Sequence, residues 1–112
     1  MIEKKGEVRM TSFDTIWTQL QNNLEVNMPI KNWTAFKGYL GDEMTVVGVR
    51  EFYIEVKSPN ARNVQFVPKD DFKKVWEVWA DYKSQKVRRY EIRNITRFSK
   101  YIISILHWYE NT

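Results

Sequence analysis

A chain of 112 residues with 43% apolar side chains and seventeen aromatic rings can bury a core of its own, which excludes a disordered chain and predicts one domain. The lack of cysteine excludes disulfides and thiolate metal sites. The lack of an apolar run of about 20 residues predicts that the protein has no membrane span and no secretory signal. We therefore expect a cytoplasmic protein.

The positive charge is concentrated in one short window. Residues 1–82 contain eleven basic and twelve acidic side chains, whereas residues 83–100 contain seven basic side chains and one acidic side chain. The net charge of +4 therefore arises from this window. Such a concentration of charge is the electrostatic footprint expected of a protein that binds an anionic partner.

The amino-terminal part is predicted to contain an arm and a helix. Residues 1–10 have mixed charge and no periodicity, which predicts a flexible arm, and residues 11–112 are expected to form a single α+β domain. The helix begins at Thr11 or Ser12, either of which can cap it, and ends at 27–29. Its apolar residues recur every three or four positions: Phe13, Ile16, Trp17, Leu20 and Leu24.

An antiparallel meander of three to four strands is predicted next. Segments 34–40, 44–49 and 52–57 are rich in β-forming residues, and a shorter strand at 64–68 ends at a proline. A turn is predicted at Gly41-Asp42. The links between these segments are too short for parallel crossovers, so neighbouring strands must run antiparallel.

Two carboxy-terminal helices are predicted to pack on one face of this sheet. The first opens after Pro68, and the second runs from Phe98 to Tyr109 with Ser99, Ser104 and His107 outside its apolar stripe. The first helix should bury one apolar face: Phe72, Val75, Trp76, Trp79 and Tyr82. Residues 86–95 between them fit neither period, so an extended strand and a short helix both stay open.

The basic window can be drawn as a helix-turn-helix whose second helix begins near Phe98. In that arrangement Ile103 and Ser104 lie on its outer side, and arginine side chains hold phosphates or approach base edges. The predicted nucleic-acid-binding residues are Lys86, Arg88, Arg89, Arg93, Arg97, Ser99 and Lys100. DNA is favoured over RNA as the partner. The alternative is a solvated basic segment followed by a core helix.

The aromatic content indicates a second class of function. Seventeen aromatic rings exceed what one small core normally buries, so some are expected to form a homodimer interface or a small-ligand pocket. The candidates for this surface are Trp33, Trp76, Trp79, Trp108 and Tyr109. A single histidine, His107, with no cysteine is too few for a histidine or thiolate metal site or a nucleophilic triad, so no cofactor is predicted.

One short pattern is shared with enzymes. Asp42, followed after a β-rich run by Glu55-Val56-Lys57, resembles the metal-dependent nuclease family named for its PD-(D/E)xK motif. The resemblance implies that Asp42 and Glu55 hold Mg²⁺ while Lys57 assists the attacking water. The proline that precedes the aspartate in that family is missing here. A non-catalytic domain is therefore the first prediction and the nuclease an alternative.

The carboxy-terminal sequence carries another resemblance. ITRFSKYIISILHWYE follows an arginine-rich stretch and an aromatic helix that ends at Trp79-x-x-Tyr82. This part of the chain is similar to small α+β accessory domains of restriction-type and other mobile-element proteins, including products of gene cassettes. The resemblance spans about residues 33–110 and implies an accessory, DNA-directed binding module without catalytic residues.

Overall fold

The computed structural model describes residues 12–112, so the arm predicted over residues 1–10 lies outside the described residues. The α+β class and the antiparallel meander are confirmed, with four strands in the spatial order β1-β2-β3-β4. The strands are β1 (Pro29–Thr34), β2 (Gly38–Val49), β3 (Tyr53–Lys57) and β4 (Gln65–Pro68). The helices are α1 (Phe13–Asn23), α2 (Lys69–Trp76), α3 (Trp79–Lys83), α4 (Arg89–Ile95) and α5 (Ser99–Glu110).

Helix α1 begins and packs as its sequence predicts. The Ser12 hydroxyl accepts a hydrogen bond from the Thr15 backbone N–H at 3.3 Å, which satisfies one free donor of the first turn. The predicted apolar stripe is buried along the whole helix. The Trp17 indole donates to the Glu51 carbonyl at 2.9 Å and thereby attaches α1 to the turn between β2 and β3.

The prediction of a turn at Gly41-Asp42 is wrong, because the chain reverses direction at residues 35–37 instead. Lys31 pairs with Glu43 and Trp33 with Tyr39, so three residues of β2 lie opposite Asn32 alone. Gly41, with φ +98°, belongs to this bulge. Positive φ favours glycine in a bulge as much as in a turn, so the local sequence is compatible with both.

The carboxy-terminal part contains more helical breaks than the sequence indicates. Residues 77–78 interrupt the predicted first helix and separate α2 from α3. Residues 86–95, which the sequence allowed to be either a strand or a short helix, contain helix α4. The start of α4 is stabilised by the Glu91 carboxylate, which accepts a hydrogen bond from the Arg88 backbone N–H at 2.9 Å. These short helices bring the basic window back towards the β1–β2 hairpin.

Helix α5 lies at the centre of the domain, packed on β1 and against α2 and α4. Residues 102–106 are therefore buried on all sides of the helix. The predicted outer positions Ser99, Ile103 and Ser104 are buried as well, which corrects the prediction that they face outwards. Among residues 12–112, no helix is both long and apolar enough to cross a membrane.

Candidate anion-binding cleft

A surface cavity lies between the tip of the β1–β2 hairpin and the segment that joins α3 to α4. Its volume is about 480 Å³, within the range of about 300–1,000 Å³ typical of small-molecule sites. Twelve of the described residues line it, and four of them are cationic: Lys37, Arg88, Arg89 and Arg93. None of these twelve is acidic. The cleft therefore has a strongly positive lining.

Two side chains fix the hairpin tip against the helical segment. The Tyr82 hydroxyl accepts a hydrogen bond from the Ala35 backbone N–H at 3.1 Å, and the Gln85 amide donates to the Ala35 carbonyl at 3.4 Å. Gln85 has φ +66°, a left-handed conformation that few non-glycine residues adopt. This conformation ends α3 and lets the Gln85 side chain reach the hairpin. The two walls of the cleft are thus held together.

Arg89 places a cation in the inner part of the cleft. Its guanidinium donates a hydrogen bond to the buried Ser99 hydroxyl at 2.8 Å. Burial lowers the pKa of Arg89, while the nearby Tyr82 raises it and Arg93 lowers it further. The guanidinium stays charged despite this shift, because arginine titrates only far above neutral pH. Within residues 12–112, no carboxylate lies within 4 Å of it.

Exposed aromatic rings stand on both sides of the cleft. Phe36 at the hairpin tip is 76% exposed, and Tyr90 in the first turn of α4 is 57% exposed. Leu40 adds a third exposed apolar side chain to the same lining. A cation-rich cavity with exposed aromatic faces can accept a ligand that combines a negative charge with a flat ring.

The structure separates the predicted nucleic-acid-binding residues into two groups. Only Arg88, Arg89 and Arg93 line the cleft. Lys86 and Arg97 are exposed outside the lining, and the Lys100 ammonium lies 3.7 Å from an Asp42 carboxylate oxygen. The remaining member, Ser99, is buried beneath Arg89. Helix α5 is not available as the predicted recognition helix, because it forms part of the core.

The structure does not bring the residues of the nuclease constellation together. Asp42 accepts a hydrogen bond from the Asn32 amide at 2.9 Å, which lowers the pKa of the Asp42 carboxyl, and Glu55 pairs with Arg50 at 2.8 Å. Glu55 lies opposite Gly48, about 15–20 Å along β2 from Asp42. No group of three or more potential metal ligands occurs among the described residues. Asp42 and Glu55 therefore do not form the carboxylate pair that the nuclease resemblance places beside Lys57.

The five aromatic residues predicted to form a surface all belong to the core or pack against it. Trp79 is 2% exposed and donates from its indole to a Glu110 carboxylate oxygen at 2.8 Å, so its place in the core corrects that prediction. The other four are partly buried and pack on the core: Trp33, Trp76, Trp108 and Tyr109. The apolar periodicity of a helix indicates that such rings are buried, but it does not indicate which ring stays exposed.

His107 belongs to a smaller cavity on another part of the domain. This cavity, about 170 Å³, is lined by His107, Tyr39 and Lys31 among others. The imidazole stacks on Trp33 with ring centroids 3.8 Å apart, and the Tyr39 hydroxyl lies 3.1 Å from Nε2. Burial lowers the pKa of His107, with Glu110 opposing and Lys83 adding to the shift. These contacts give the histidine a structural role.

Sequence reasoning missed the hairpin half of the cleft. Segment 34–40, which is predicted to be a strand, contains Phe36, Lys37 and Leu40. In a strand their side chains would alternate between two faces. The signal in the sequence is Gly38, because glycine is typical of turns and follows Phe36 and Lys37 directly. Their meeting with the arginines depends on tertiary packing.

Several residues of the carboxy-terminal resemblance have structural roles. The Thr96 hydroxyl donates to Asp71 at 2.7 Å and accepts from the Phe98 backbone N–H at 3.0 Å, which separates α4 from α5. Ser99 accepts from Arg89, and the Tyr101 and Ser58 hydroxyls lie 3.0 Å apart. The resemblance to mobile-element accessory domains stays a prediction. No protein-family model, no curated protein and no solved structure matches this chain.

Proposed function

We propose that this domain binds nucleic acid through the cleft between the β1–β2 hairpin and α4. The observation that carries the proposal is that four cations and two exposed aromatic rings line one cavity without an acidic side chain among its described lining residues. Phosphate groups pair with arginine side chains, and bases pack on aromatic faces. The function is non-catalytic binding, and the ligand is DNA in preference to RNA.

The experiment is a fluorescence anisotropy titration of short labelled single-stranded and duplex oligonucleotides at low salt. The double variant Arg88→Ala/Arg93→Ala removes two exposed cations of the cleft. Its matched control, Lys73→Ala/Lys74→Ala, removes two exposed cations from α2, outside the cleft lining. We expect the first variant to bind much more weakly and the control to bind nearly as well as the unmodified protein.

The salt dependence separates the two variants further. Each phosphate contact with a single strand contributes a slope of about −0.7 to the logarithmic dependence of affinity on salt. Loss of the contacts from Arg88 and Arg93 should therefore flatten that slope by about 1.4, whereas the α2 control should leave it unchanged. If the unmodified protein binds no DNA or RNA at low salt, the proposal is wrong.

A homodimer is a second candidate, favoured by aromatic rings elsewhere on the surface. Phe52 and Phe66 are exposed, and the Tyr53 and Phe66 rings pack together with centroids 5.5 Å apart at the edge strand β4. Aromatic side chains are frequent at the centres of protein interfaces. Light scattering at two concentrations tests this candidate, since a monomer at the higher concentration contradicts it and Phe66→Ser should weaken any dimer.

A further inference from the structure

We infer that the cleft takes an unpaired nucleotide, with its base packed against the Phe36 and Tyr90 rings and a phosphate directed to Arg89. This inference rests on the proposed function and specifies its ligand as a single strand rather than a duplex. Three features support it: unused aromatic faces, the position of the cations, and the shape of the site.

The two rings have surfaces that the fold does not use. Within residues 12–112, neither Phe36 nor Tyr90 packs against another aromatic ring, whereas exposed Tyr39 lies edge-on to His107 and Tyr53 packs against Phe66. Both unused rings stand in the lining of the same cavity. A base can therefore stack on either ring without displacing an aromatic contact among the described residues.

Four cationic side chains line the same cavity as Phe36 and Tyr90. Arg89 is held inside the cleft by its hydrogen bond to Ser99, so its orientation is established before a ligand arrives. Arg88 and Arg93 are exposed at the same cavity, and Lys37 is next to Phe36 in the hairpin tip. A base bound on Phe36 or Tyr90 therefore lies within a positive field that attracts its phosphate.

The shape of the site favours an unpaired base. The bases of a duplex stack on one another and expose only their edges in the grooves, so their faces are not accessible to Phe36 or Tyr90. A cavity of about 480 Å³ accepts one flat ring with its phosphate but not a double helix. Helix α5, which the sequence predicts as the helix that reads a duplex groove, is internal and cannot enter one.

The test compares three ligands of equal length and phosphate number per strand: oligothymidylate, an abasic strand and a duplex. We expect the unmodified protein to bind oligothymidylate most tightly in anisotropy titrations. Phe36→Ala and Tyr90→Ala should each weaken oligothymidylate binding by roughly 5- to 150-fold, the effect expected when one stacking ring is removed. Neither variant should change binding of the abasic strand, and Tyr90→Phe should retain affinity for oligothymidylate.

The matched control is Phe52→Ala, which removes a ring outside the cleft lining whose exposure, 64%, lies between those of Phe36 and Tyr90. It should leave all three affinities unchanged. Thermal unfolding of Phe36→Ala and Tyr90→Ala should match the unmodified protein, since both rings are exposed. Equal affinity for oligothymidylate and the abasic strand would overturn this inference while leaving the proposed function in place. Duplex binding as tight as single-strand binding would overturn it too. Failure to bind any of the three ligands would overturn both.

Discussion

The Arg89 guanidinium donates a hydrogen bond to the Ser99 hydroxyl at 2.8 Å and so connects the basic segment to the central helix. Ser99 is buried at the start of α5, whereas Arg89 opens α4 and lines the cleft. One contact thus serves the fold and the candidate site together. It holds a half-buried cation in place without a neutralising carboxylate among the described residues.

Ser99→Ala should lower the free energy of unfolding by about 1 kcal/mol, because Arg89 then loses a buried acceptor while the guanidinium stays partly accessible to water. Urea unfolding followed by tryptophan fluorescence measures the change. The control is Ser84→Ala, which removes an exposed hydroxyl that donates to the Asp81 carbonyl at 3.2 Å and should cost much less. Equal midpoints for the two variants would contradict the structural role of Ser99.

Thr96→Val should destabilise the domain by about 1–3 kcal/mol, since it keeps the side-chain shape but leaves Asp71 and the Phe98 N–H without their hydroxyl partner. Thr96→Ser retains the hydroxyl and should cost less. Thermal unfolding of the two variants makes the comparison. A serine variant less stable than the valine variant would show that the methyl group, and not the hydrogen bonds, matters at this position.

Acidification through the ordinary histidine range should destabilise the protein, because burial lowers the pKa of His107 in the folded state. The unfolded chain then binds the proton more readily than the folded protein. The contribution of neutral His107 to the free energy of unfolding is therefore complete above about pH 6.5 and is lost as the pH falls towards the folded-state pKa. The Nδ2 amino group of Asn111, which can only donate, lies 3.3 Å from Nδ1 and favours a neutral imidazole.

The measurement is the free energy of unfolding between about pH 5 and 7.5 for the unmodified protein and His107→Gln. His107 is the only histidine of the chain, so the variant should lose most of the slope in this interval. If His107→Gln retains the full dependence of the free energy of unfolding on pH, groups other than His107 cause that dependence.

Gln85→Val should lower stability by about 1–2 kcal/mol, because a β-branched residue fits poorly at φ +66°. Gln85→Gly relieves the backbone but removes the exposed hydrogen bond to the Ala35 carbonyl, and because these two effects oppose each other we expect a stability close to that of the unmodified protein. Urea unfolding measures both, with Lys86→Val as the control at an exposed neighbour of ordinary φ. Equal stability of Gln85→Val and the control would contradict the prediction.

The regular parts of the fold could be predicted because their signals are local. The stripe of α1 and the cap at Ser12 occur within a few turns of one another, and both are confirmed. The faces of α5 could not be assigned in the same way. Ser99 and Ser104 look external by polarity, yet they are buried because distant groups, the Arg89 guanidinium and the Trp33 N–H, use their hydroxyls.

The sequence by itself determined the α+β class, the antiparallel order of the strands and the concentration of positive charge in residues 83–100, since each depends on neighbouring residues. Only the tertiary structure decided that three arginines of this window meet Phe36 and Lys37, about fifty positions earlier in the chain. The physical reason is that the Ala35 backbone bonds to the Tyr82 and Gln85 side chains. No local pattern encodes these long-range contacts, and they form the cleft.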